Sequence, residues 1–114
     1  MVYIVVVFVE VKPESIEAVK TRMSEAAKIY EKDPETLEFS LRQDINNPQR
    51  FTIVERYERE SSLTEIHQKN PIFADTVAFL RANVTKPNEP HLSQCMLVSP
   101  RHRGELSQED VSQV

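Results

Sequence analysis

Apolar positions along the chain switch between a period of two and a period near 3.6, and the switches delimit the elements. From Val2 to Val11 both alternating sets are apolar: Tyr3, Val5, Val7, Val9 and Val11 fall on one face, and Val2, Ile4, Val6 and Phe8 on the other. A strand apolar on both sides must be covered on both sides. In so short a chain helices can cover one face, and a second copy of the protein is the expected cover for the other. Pro13 then stands where a first helical turn tolerates a missing N–H. Ile16, Val19, Met23, Ala26 and Tyr30 follow as one amphipathic stripe. Asp33-Pro34 ends it, because the residue before proline disfavours α geometry.

Leu37, Phe39 and Leu41 alternate with Glu38, Ser40 and Arg42, which predicts a strand with one wet face. Asn46-Asn47-Pro48-Gln49 is turn chemistry, and Phe51, Ile53, Glu55 and Tyr57 alternate beyond it, so the two strands form a hairpin. Ser62-Leu63-Thr64-Glu65 has the spacing of a capping box and predicts the start of a short helix carrying Ile66 and His67. Asn70-Pro71 marks a second start, with Phe73, Val77, Leu80 and Val84 as its stripe. Pro87 and Pro90 bracket a loop before a last strand, His91–Val98. From Pro100 onward the sequence is polar and without periodicity, and is expected to be disordered or to contact a partner. The order β-α-β-β-α-(α)-β predicts an α+β, ferredoxin-like domain over 1–99, followed by a tail over 100–114. Its sheet has four antiparallel strands with the first and third central. The uncovered face predicts a two-fold homodimer.

Composition narrows the chemistry. The 114 residues suit one domain, and 14 basic against 18 acidic side chains leave a net charge of −4. The single glycine, Gly104, excludes Gly-rich phosphate cradles, since both the dinucleotide turn and the P-loop need several. One cysteine, Cys95, builds neither an intramolecular disulfide nor a Cys-based zinc site, and a buried structural thiol is expected. His67, His91 and His102 lack ligand spacing, so no metal site is expected; His67 alone could ligate a haem iron. The apolar run Val2–Val9 is too short to span a bilayer, and no leader-like segment accompanies it. The reading is a cytoplasmic protein with no membrane or nucleic-acid partner. The strand Arg50–Tyr57 lacks the glycine of an RNA-binding platform and carries Glu55 on it.

Three residues could carry chemistry. His67 lies at helical spacing from Leu63 and so shares its inward flank, either as a general acid/base in a cavity or as a histidine packed against its neighbours. Glu55 and Tyr57 lie in the core register of their strand behind Phe51 and Ile53. A carboxylate there needs a partner: His67, a backbone group, or an arginine such as Arg42.

The opening strand into Val11-Lys12-Pro13, the segment Asp33–Phe39, the strand Phe51–Tyr57 and the run His67–Phe73 recur together in a known family. An E-x-Y strand followed by H-x-x-x-x-x-F is its most recognisable signature. In these features the sequence resembles the antibiotic biosynthesis monooxygenase (ABM) superfamily of dimeric α/β barrels, over about Val2 to Val98. Two departures stand out: Glu35-Thr36-Leu37 replaces a turn often made with glycine, and there is no tryptophan. The resemblance implies a dimer with a pocket between helices and sheet in each subunit. It implies oxygenation of electron-rich aromatics without metal, flavin or nicotinamide. Carried over, His67 is the base or hydrogen-bonding group, Tyr57 and Glu55 stand beside it, and Phe39, Phe51 and Phe73 form the apolar wall. The expected function is a cofactor-independent monooxygenase acting with dioxygen on a quinol, anthrone or polyketide-derived aromatic. The alternative is a non-catalytic dimeric barrel binding a hydrophobic ligand or a partner.

Overall fold

The computed structural model describes residues 2–95. Four strands, β1 (Tyr3–Glu10), β2 (Thr36–Gln43), β3 (Arg50–Tyr57) and β4 (Glu89–Gln94), form one sheet, and three helices, α1 (Ile16–Tyr30), α2 (Glu60–Glu65) and α3 (Phe73–Asn83), accompany it. The strand order is β2-β3-β1-β4, antiparallel throughout, which is the ferredoxin-like arrangement with the first and third strands central. Among the described residues no helix is long and apolar enough to cross a membrane.

The inner face of the sheet carries the core. Val9, Phe39, Phe51 and Ile53 pack against Val19, Met23, Ala26 and Tyr30 of α1 and Leu80 of α3. A smaller cluster of Tyr3, Val5 and Tyr57 continues along the same face toward Leu63. The helical stripe and the strand alternation therefore meet as their periods require. On the outer face Ile4, Val6 and Val54 are partly covered and Phe8 is 48% exposed. Arg56 and Arg42 flank this strip, both paired with Glu38 (2.7 and 3.3 Å).

Several boundaries differ from the sequence reading, each for a local reason. Pro13 opens a 3-10 turn, Pro13–Ser15, and the α-helix begins only at Ile16. Leu37 does not share the inner face with Phe39: a register shift between Thr36 and Glu38 inserts an extra residue, and Leu37 is left 44% exposed. Just before this bulge Glu35 adopts φ 65°, the left-handed region that favours glycine. Ser62 is the third residue of α2 rather than its cap; the helix begins at Glu60, and the Ser62 hydroxyl accepts from the Arg59 N–H (3.3 Å). β4 starts at Glu89 and takes in Pro90, which pairs with Val7 at the sheet edge, where a missing donor is tolerated. Cys95 is half-buried, with its N–H donating to the Val2 carbonyl (2.9 Å). The predicted end of the last strand beyond Cys95 and the tail lie outside the described residues.

Met23 is almost fully buried and Ile45, in the β2–β3 turn, is 96% exposed. Chemical denaturation is expected to show Met23→Ala losing about 2–5 kcal/mol through the cavity it opens. Ile45→Ala is expected to change stability by less than about 0.5 kcal/mol.

Candidate active site

β3 presents Glu55 and Tyr57 on the inner face, two residues apart, so both side chains rise toward the helices. Glu55 lies opposite Val5 of β1 and Phe39 of β2. The Tyr57 hydroxyl donates to Glu55 Oε1 at 2.5 Å. His67 arrives from the other side, at the start of a 3-10 turn, His67–Lys69, that follows α2 rather than from the helix itself. Its Nε2 stands 3.5 Å from the same Oε1, and the two side chains are only 5% and 9% exposed. Arg42, one of the alternative partners for Glu55, pairs instead with Glu38.

Aromatic contacts fix the imidazole. The rings of Tyr30, Phe73, Phe39 and Tyr57 stand 4.3, 5.3, 5.5 and 5.6 Å from it, the first two edge-on. Its Nδ1 is buried without a hydrogen-bond partner among the described residues. The turn between α1 and β2 tethers the segment that carries His67. Asp33 accepts from the Asn70 amide (2.9 and 3.0 Å), and Glu35 accepts from the Ser62 hydroxyl (2.7 Å) and pairs with Arg59 (3.4 Å).

Burial sets the protonation states. It pushes the Glu55 carboxyl up to about 7, against the opposing pull of the Tyr57 hydrogen bond. It pushes the His67 imidazole down to about 4, opposed by the charge of Asp33. Burial and the neighbouring carboxylate also raise Tyr57, which therefore stays a phenol and a donor. At neutral pH the group that exchanges a proton is Glu55, beside a neutral imidazole.

This cluster borders a cavity of about 850 Å³ bounded by β1, β4, α2 and α3. Val5, Val7, Leu63, Phe73, Val77 and Leu92 supply its apolar lining, with Glu55 and His67 among its polar groups. Of the three phenylalanines expected in the wall, Phe73 lines the cavity. Phe39 packs behind the imidazole, and Phe51 sits in the α1 core and borders a separate hollow of about 340 Å³. Among the described residues no three His, Cys, Asp or Glu side chains gather as a metal site requires. Tyr30, Asp33 and Asn70 belong to the site through their hold on His67, although the sequence marked them only as a stripe residue, a helix stop and a cap. Leu92 and Val77, from elements that are distant in sequence, close the cavity, and no spacing rule joins them.

The two shifts bear oppositely on stability. A carboxyl raised on folding destabilises the native state increasingly as pH rises from its unfolded value toward about 7. A histidine lowered on folding stabilises above its unfolded value, and that contribution is lost as pH falls toward about 4. Glu55→Gln keeps an acceptor for Tyr57, and thermal melts are expected to show it more stable than wild type above pH ~7, on the order of 2 kcal/mol. That gain should vanish below pH ~4.5.

The family model for antibiotic biosynthesis monooxygenase matches residues 2–78. Among solved structures, a protein from Nitrosomonas europaea described under the same family name superposes with a TM-score of 0.79 at 18% identity, covering 83% of this chain and 90% of its own. An antibiotic biosynthesis monooxygenase structure matches with a TM-score of 0.77 at 22% identity, covering 85% and 100%. A conserved protein from Methanosarcina mazei gives 0.78 at 21%, covering 82% and 92%. At these identities the structural likeness speaks to the fold. No curated protein matches the sequence. The family model spans well over half of the residues, and the chain belongs to the antibiotic biosynthesis monooxygenase family.

Proposed function

We propose that the protein is a cytoplasmic monooxygenase that oxidises a small aromatic, a quinol, anthrone or polyketide-derived compound, with dioxygen and no added cofactor. The observation that carries the reading is the carboxyl–phenol–imidazole cluster at the edge of an apolar cavity. Family membership supports it.

Glu55 is the base. With its carboxyl held near 7 by burial, it is partly ionised at neutral pH and close to the ideal strength for proton transfer. It takes a proton from the acidic CH₂ of an anthrone or the O–H of a quinol, and the resulting carbanion or phenolate is spread over the aromatic system. This anion passes one electron to dioxygen, and substrate radical and superoxide join to form a C–O bond. Protonated Glu55 returns the proton to the peroxide. Loss of water from the hydroperoxide then leaves a C=O where an anthrone had CH₂ or a quinol a ring C–H. The substrate thus loses two hydrogens and gains one oxygen, while the second oxygen leaves as water. Tyr57 steadies the carboxylate through its hydrogen bond, and neutral His67 stands 3.5 Å from the same oxygen. In this reading His67 is the neutral neighbour of the carboxylate rather than the base.

The same proposal includes a homodimer. Ile4, Val6, Phe8 and Val54 form an apolar strip on the outer face, and a second copy is the cover that fits a strip edged by both charge signs. Sedimentation is expected to give a dimer at micromolar concentration and a shift toward monomer for Phe8→Asp; a stable wild-type monomer contradicts it.

Dioxygen uptake with a panel of anthrones and hydroquinones tests the activity. The expected result is uptake whose rate rises with pH through about 7, as the carboxylate forms. Glu55→Gln is expected to lower kcat by about 100-fold or more. Tyr57→Phe, which removes a bond favouring the carboxylate, should move the midpoint upward. No uptake across the panel supports the non-catalytic ligand-binding reading instead.

A further inference from the structure

The cavity carries a charge pattern that the reaction does not use. Its lining includes three charged side chains: Glu55 from β3, and Arg81 and Lys86 from the end of α3 and the connection to β4. Glu55 is buried, whereas Arg81 and Lys86 are exposed, which puts both cations at the mouth. Arg81 stands one helical turn beyond Val77 and next to Leu80, and all three line the cavity, so the same flank of α3 carries apolar wall and cation. Arg81 forms no ion pair with another described residue. Lys86 approaches only Glu10, at 3.8 Å, in an exposed pairing of the kind that contributes little. Asn88 lines the same stretch, with a buried Oδ1 that has no hydrogen-bond partner among the described residues. Among the described residues the buried Glu55 is the only carboxylate in the lining of this cavity, so the unpaired Arg81 and the weakly paired Lys86 supply the charge at its opening.

We propose that the ligand of this cavity carries an anionic group, a carboxylate or a phosphate, that Arg81 and Lys86 hold at the mouth while its aromatic body fills the apolar interior. The inference rests on the reading of the cavity as an aromatic site, and names the substrate class within it. A guanidinium fork matches either anion through paired N–H donors, and the ammonium of Lys86 adds a second charge. The unpartnered atom of Asn88 is an acceptor, which suits a hydroxyl of the ligand and not its anionic group. Arg81 also lies in the last turn of α3, where a cation complements the helix dipole. That role alone would leave ligand preference untouched.

Fluorescence or calorimetric titration with three probes of one ring system, a naphthol, the matching hydroxynaphthoate and the naphthyl phosphate, separates the possibilities. At low salt the anionic probes are expected to bind about tenfold tighter than the naphthol, with the difference shrinking as salt screens the mouth. The order of carboxylate and phosphate then identifies the anion. Arg81→Gln combined with Lys86→Gln, both on the surface, should bring all three to the affinity of the naphthol. Equal affinities in the wild type, or a preference that survives the double substitution, overturn the inference while leaving the aromatic site standing. Binding of none of the three overturns the aromatic site, and this inference with it.

Discussion

The structure turns on one carboxyl group placed where the sheet should be apolar. Glu55 occupies an inward position of β3 between Ile53 and Tyr57, and an isolated charge there would cost several kcal/mol. The fold answers with a hydrogen bond to one of its oxygens from the Tyr57 hydroxyl on the same strand, and sets the neutral His67 imidazole 3.5 Å from that oxygen. His67 in turn is wedged among the rings of Tyr30, Phe39 and Phe73, so α1, β2 and the start of α3 all bear on it. The contacts that hold the helices onto this end of the sheet are therefore the contacts that set the site. Burial does both tasks, ordering the core and bringing the carboxyl to a strength useful near neutrality.

The helices divide the inner face unequally. α1 fills the half over β2 and β3 with Val19, Met23, Ala26 and Tyr30, leaving a packed core. α2 and α3 arch over β1 and β4 and leave a hollow lined by Val5, Val7 and Leu92. The turn that joins the halves, Asp33 to Glu35, tethers the His67 segment through Asn70 and Ser62. Glu35 takes a left-handed backbone there without being glycine, and its carboxylate is one of those tethers. A glycine would relieve the backbone but remove the anchor.

Much of this was legible in the pattern of residues. The doubly apolar first strand belongs at the centre of a sheet, and β1 is flanked by β3 and β4. The alternation through Phe51, Ile53, Glu55 and Tyr57 put the carboxyl on the inner face; His67 is turned inward as expected, but from the 3-10 turn beyond α2 and not by helical spacing from Leu63. What escaped depended on backbone detail or distant contacts. The bulge at Leu37 breaks an alternation that looked regular, and Pro90 joins a strand because that strand is at an edge. Phe51 is a core residue at the wrong end of the sheet for the cavity, which strand register alone does not tell. That Glu55 is raised and His67 lowered follows from burial, which disfavours the charge on each and which tertiary packing decides.

The central claim is that burial holds Glu55 as a carboxyl titrating near neutrality beside a neutral imidazole. Carbon NMR of side-chain carboxyls, with Glu55→Gln identifying the resonance, measures it directly. The account predicts a Glu55 midpoint near 7, together with a His67 ring that stays neutral down to about 4. A Glu55 midpoint in the ordinary carboxylate range, or a His67 that protonates in the ordinary histidine range, would contradict it.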